Sequence, residues 1–155
     1  MWKKLDSLAE NLCDPDYYTE KEVMDVANAG YDLSRFHKAQ ARDYKTALSE
    51  IRSGRKRSHW MWYIFPQIKG LGHSDMADYY GISNLEEAKD YLADPILKER
   101  LTEISSALLA LDSRDAKAVM GVPDNLKLRS CMTLFAIADP DEEVFQKVLD
   151  KFYGR

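Results

Sequence analysis

Apolar side chains recur at helical spacing along most of the chain. Leu5, Leu8, Ala9 and Leu12 form a short stripe that ends near Asp14-Pro15. Thr19 and Glu22 make a capping box, and Gly30 is a good terminator for the helix between them. The clearest helix runs from Ser34 to about Ser53. Its stripe is Phe36, Ala39, Gln40, Tyr44, Ala47, Leu48 and Ile51, with Gly54 at the stop position.

Beyond it the pattern is choppier. Ser58 to Phe65 is apolar on every side, so a buried helix and a central strand both fit. The helix is preferred, because no second convincing strand exists to pair with it, and Pro66 ends it. Ser74 to Tyr80 reads as a short helix closed by Gly81. Ser83 and Asn84, followed by Glu86 and Glu87, open a helix to about Ala93. Asp94-Pro95 starts another, with Ile96, Leu97, Leu101, Ile104, Leu108 and Leu111 as its buried face. Asp115 to Met120 is a turn of helix ended by Gly121. Asp124 caps a helix to about Ala138, and Asp139 to Glu142 starts the last, striped by Val144, Phe145, Val148, Leu149 and Phe152. The expectation is an all-α fold: one irregular globular domain of about eight or nine mostly short helices over residues 32–155. An acidic helical extension, residues 1–31, precedes it.

Composition narrows the class. A chain of 155 residues with 45% hydrophobic and 31% charged content can bury a real core. The longest apolar stretch, Trp60 to Phe65, is far too short to span a bilayer, and no secretory leader is visible. Cys13 and Cys131 have neither metal nor redox spacing, so a reduced, cytoplasmic protein is expected.

Net charge is −4, unevenly spread. Residues 1–32 carry three Lys/Arg against eight Asp/Glu, residues 33–73 nine against two, and residues 74–155 ten against sixteen. Such asymmetry points to an anionic partner or to acidic and basic helices packed side by side.

Four segments carry candidate chemistry, each with a structural reading beside the functional one. Arg52, Arg55, Lys56 and Arg57 close a helix, where positive charge is favourable, but they also suit a phosphate. The block from Ser58 through His59, Trp60 and Trp62 to Phe65 supplies core, yet its rings offer a stacking surface, and His59 is the best single acid or base. Gly70 and Gly72 make either a turn or a weak phosphate cradle. Lys127, Arg129, Ser130 and Thr133 interrupt an otherwise apolar helix, as one side of an anion pocket or as internally paired groups. His37, His59 and His73 are scattered, so no metal site is expected, and no cofactor is specified.

With the stretches KRSHWMWYIFPQ, GLGHS, YYGI and KLRSCMTLF, the chain resembles domain-of-unknown-function family 1810, from Asp32 to Gly154. The segments DLSRFHKAQ, YLADPIL and FQKVLDKFYG also look like that family. The resemblance implies a bacterial, cytoplasmic, all-α fold with no established activity. Some members carry the label calpastatin, but those inhibitors are long disordered repeats, whereas this chain reads as compact. The family's signature polar positions correspond here to Gln40, Lys56, Arg57, Ser58, His59, Gln67, Lys127, Ser130 and Thr133. The acidic extension departs from the pattern, and packing of it on the basic middle would occlude a site there.

The leading expectation is a pocket for a small anionic or nucleotide-like ligand, lined by the KRSHWMWYIFPQ and KLRSCMT segments. Arg57 and Lys127 hold the charge, with Lys56, Ser58, Gln67, Ser130 and Thr133 around them. Trp60 or Trp62 stacks, and His59 donates a proton if chemistry occurs. It requires two segments some 70 residues apart to meet. The competing expectation is a non-enzymatic interaction or dimerisation module. A weaker third is nucleic-acid binding, which the acidic overall balance disfavours.

Overall fold

A computed structural model of the chain describes residues 31–154. The helices expected within residues 1–30, and the acidic extension they belong to, lie outside the described residues. Within the compact unit that starts at Leu33 there are eight helices and no named strand among the described residues. They are α1 (Ser34–Arg52), α2 (Met61–Ile64), α3 (Asp75–Tyr80), α4 (Leu85–Ala93), α5 (Pro95–Leu109), α6 (Ala116–Met120), α7 (Asp124–Ala138) and α8 (Glu143–Tyr153).

Helices α5 and α7 are central. The first packs on α1, α4 and α8, the second on α4, α6 and α8. A chain of rings runs through the core. Phe36 meets Tyr91 at 5.1 Å, Tyr91 meets Phe135 at 5.1 Å, and Phe135 meets Phe145 at 5.9 Å. These contacts join α1, α4, α7 and α8 through the largest apolar surfaces available. One buried amide crosses the same region. Gln40 Nε2 donates to the Tyr63 carbonyl at 2.8 Å and to the Tyr91 hydroxyl at 2.9 Å, while its Oε1 accepts from Arg100 at 3.3 Å.

The ends of α1 follow its sequence. Phe36, Ala39, Gln40, Ala47, Leu48 and Ile51 are buried, as the stripe predicts. Gly54 has φ +89° and nothing near a would-be Cβ, so the left-handed turn itself is what favours glycine. The N–H of Arg55 then reaches the Glu50 carbonyl and that of Gly54 the Ile51 carbonyl, satisfying two helix-end acceptors.

Three local expectations are corrected. The helix predicted over Ser58 to Phe65 shrinks to the single turn Met61–Ile64. The backbone N–H groups of Arg57 and Ser58 are drawn instead to the Glu50 carboxylate, at 2.6 and 2.8 Å, which holds the preceding residues in a loop. Asp124 is the first residue of α7 and not its cap. Its carboxylate turns to Lys56 and Lys127, and charged donors outweigh a backbone N–H. Ile96 is 49% exposed, because the first turn after Pro95 projects beyond the core. The Asp94 cap itself is as read, accepting from Ile96 and Leu97 and meeting His37 Nε2 at 2.6 Å.

A lone parallel bridge, Ile68 to Ile82, ties the segment after Pro66 to the end of α3. Gly81 permits it: a Cβ there would sit 2.8 Å from Lys69 Cβ and 2.9 Å from the Ala77 carbonyl oxygen. Here close approach, and not backbone sign, requires glycine.

Candidate functional site

The basic stretch after α1 is built around one carboxylate. Glu50 accepts from the N–H groups of Arg57 and Ser58, from Ser58 Oγ at 2.6 Å and from Trp60 Nε1 at 3.0 Å. Partial burial works to raise this carboxyl. The bonds from Ser58, Arg57 and Trp60 outweigh it and bring the pKa down to about 2. Lys56 completes the frame. Its ammonium donates to the Ser58 carbonyl, pairs with Asp124 at 2.9 Å and lies 4.9 Å from the centre of the Trp60 ring. Its backbone N–H reaches the Val119 carbonyl at 2.7 Å, so the loop is fastened to α6 as well.

The two segments that had to meet do meet. Lys127, one turn into α7, places its ammonium 5.6 Å from the Trp62 ring centre. Both residues line one hollow, together with Met61, Phe65, Gln67, Ala77, Tyr80 and Gly81. The hollow is narrow, with a volume of about 10 Å³, at the lower limit for one water molecule. The indole N–H of Trp62 is buried without an acceptor among the described residues. Lys127 has only a long pairing with Asp124, at 3.7 Å. The lining thus sets a residue with an unmet buried donor beside a loosely paired ammonium.

The other expected site residues are spread around it. Trp60 is 1% exposed and belongs to the core, and Lys56 and Ser58 hold the loop. Arg57 and His59 are exposed, and neither lines the hollow. The His59 carbonyl accepts a 3.3 Å bond from the Tyr63 hydroxyl. Ser130 and Thr133 face a separate, open groove of about 500 Å³, which they share with Ile68, Leu71, Leu126 and Ile137. Their hydroxyls donate to the Leu126 and Arg129 carbonyls one turn earlier.

Sequence reasoning missed the acids. Asp43 accepts from the Tyr63 hydroxyl and from Arg42 at 3.0 Å, and the Arg42 contact lowers its pKa against the effect of burial. Burial, with the Asp43 bond adding to it, raises that of Tyr63. One signal was available: Asp43 and Glu50 are the only acids among residues 33–73, and both became local anchors. Cys131 is buried, and burial pushes its thiol well up, so it is a poor nucleophile. No group of three or more metal-ligating side chains occurs among the described residues. No described helix is long and apolar enough to cross a membrane.

The sequence matches the family described as "Protein of unknown function (DUF1810)" over residues 30–155. Among solved structures it is similar to the conserved hypothetical protein Rv1873 from Mycobacterium tuberculosis. The two are 48% identical, the match covers 80% of this chain and 89% of that one, and the TM-score is 0.78. Comparison with curated proteins gives no match.

Proposed function

The chain belongs to the DUF1810 family, and we propose that it binds a small anion, with the negative group seated between Lys127, Trp62 and Gln67. One observation carries the reading. Trp62, whose buried indole N–H has no acceptor among the described residues, lines the same hollow as Lys127, whose side chain is partly exposed. An unmet buried donor costs on the order of 1–3 kcal/mol, and a carboxylate or phosphate oxygen would relieve it while neutralising Lys127. The volume of about 10 Å³ suits one such oxygen and excludes a nucleobase, so the anion's body lies outside. Within this reading Trp62 is a donor and a wall, not a stacking platform.

The test is a titration of the protein with acetate and, separately, inorganic phosphate, followed by proton–nitrogen NMR. The expected result is a downfield shift of the Trp62 indole N–H that saturates with at least one of the two, and its loss in Lys127→Met. An indole signal that stays put at high concentrations of both would sink the proposal.

A further inference from the structure

The hollow and the open groove have no lining residue in common, but their linings adjoin in sequence at two places. Gln67 lines the first and Ile68 the second; Lys127 lines the first and Leu126 the second. Consecutive residues of the same loop and of the same helix thus face two neighbouring depressions. Their chemistry differs sharply. The hollow is lined by Trp62, whose buried N–H has no acceptor among the described residues, and by Lys127. The groove is apolar: Leu71, Leu126 and Ile137 are 57%, 56% and 59% exposed there. Its hydroxyls do not change that character, because Ser130 and Thr133 already donate to helix carbonyls. Arg129, at its edge, is its one charged residue, and that charge is positive. A helix apolar on nearly all sides is normally covered on all sides. Helix α7 buries Leu128, Cys131, Met132 and Phe135 on one face and leaves Leu126 and Ile137 bare on another.

We infer that the ligand is an amphipathic anion, a medium-chain carboxylate whose head sets one oxygen in the Lys127–Trp62 hollow and whose chain lies along the groove. The inference rests on the anion reading above and adds the chemical class. Positive charge at Lys127 complements the head, and the leucine and isoleucine surface takes the hydrocarbon. A volume near 500 Å³ falls within the usual range for small-molecule sites.

The experiment compares acetate with octanoate by calorimetry. It uses the full chain, Lys127→Met, and a double variant Leu126→Ser/Ile137→Ser, whose exposed positions leave the fold intact, as matching melting temperatures would confirm. A fully buried methylene adds roughly four-fold in affinity. Half-buried in an open groove, six of them should make octanoate on the order of 60-fold tighter than acetate. The double variant should lose that gain and keep the acetate affinity; Lys127→Met should lose both ligands. Equal affinity for acetate and octanoate would overturn the chain-in-groove inference while leaving the anion site standing. No binding of either would overturn both. Octanoate binding that survives Lys127→Met would show an apolar surface unconnected to the hollow, and would also overturn the inference. So would a concentration-dependent dimer that the double variant abolishes, because the groove's occupant would then be a second copy.

Discussion

The two halves of the aromatic, basic stretch use the same residue types to opposite ends. Before α2, a carboxylate, a lysine and a tryptophan satisfy one another: Glu50 gathers four donors, and Lys56 is 8% exposed and bound to Asp124. On α2 itself, Trp62 faces Lys127 of α7, with no acid near them among the described residues except the distant edge of Asp124. The first half is a closed network whose members need nothing further. The second is an open one, with donors to spare. Composition alone does not separate a structural cation from a binding one; the inventory of partners does.

Breaking the closed half should have the largest effect. Glu50→Ala removes the acceptor of four bonds and leaves the Trp60 N–H buried without a partner. The expected cost is about 3 kcal/mol, or roughly 10 °C in melting temperature, since each kcal/mol is worth about 3–5 °C in a domain of this size. The same carboxylate sets a pH dependence. Its pKa is 4.5 ordinarily and about 2 when folded, so its contribution is fully present above 4.5 and is lost as pH falls toward 2. The melting-temperature gap between the wild type and Glu50→Gln should therefore hold from pH 7 to 5 and shrink between 4.5 and 2. A gap independent of pH would mean that the charge of Glu50 is not what holds the loop.

The lysines sharpen the contrast. Lys56→Met strips a nearly buried ammonium from Asp124 and from the Ser58 carbonyl. About 2 kcal/mol of stability should go, tempered by the Lys127 contact that Asp124 retains. Lys127→Met, at a side chain 25% exposed, should change stability by less than about 1 kcal/mol. Denaturant melts of the two variants decide it, and equal losses would erase the distinction between the halves.

How much of this was legible in the chain depends on how local the cause is. The stop of α1 at Gly54, the Asp94 cap and the core stripe of α8 are written within a few residues, and they appear where the spacing puts them. The single turn at Met61–Ile64 was illegible, because its neighbours' N–H groups are claimed by an acid on the preceding helix. Asp124 was misread for the same reason: Lys56, far off in sequence, outbids the backbone for it. At the site, the approach of the KRSHWMWYIFPQ and KLRSCMT segments was expected from the cations and rings they carry, and Lys127 does reach Trp62. Which tryptophan would face the hollow was not, because a run apolar on every side carries no direction. The bare face of α7 was hidden likewise, since leucine and isoleucine on all sides do not say which of them the core will take.

The two tryptophans give the finest test, because the same chemical change is made at positions two residues apart. Trp60 and Trp62 each present one indole N–H; only the first has an acceptor. Trp60 is fully buried and Trp62 only partly, so replacement with phenylalanine loses more packing at Trp60. The polar difference acts in the same direction. Trp60→Phe deprives an ionised carboxylate of a donor, worth about 1.5–3 kcal/mol for a charged acceptor. Trp62→Phe removes a donor that had no acceptor, which relieves a desolvation penalty and offsets part of the lost packing. Trp60→Phe should therefore be the less stable of the two by about 2 kcal/mol in urea melts. The order should invert for binding, with Trp62→Phe weakening acetate or phosphate and Trp60→Phe leaving their affinity nearly unchanged. Equal stability of the two would show that the Trp62 N–H has a protein acceptor after all, and the anion reading would lose its support.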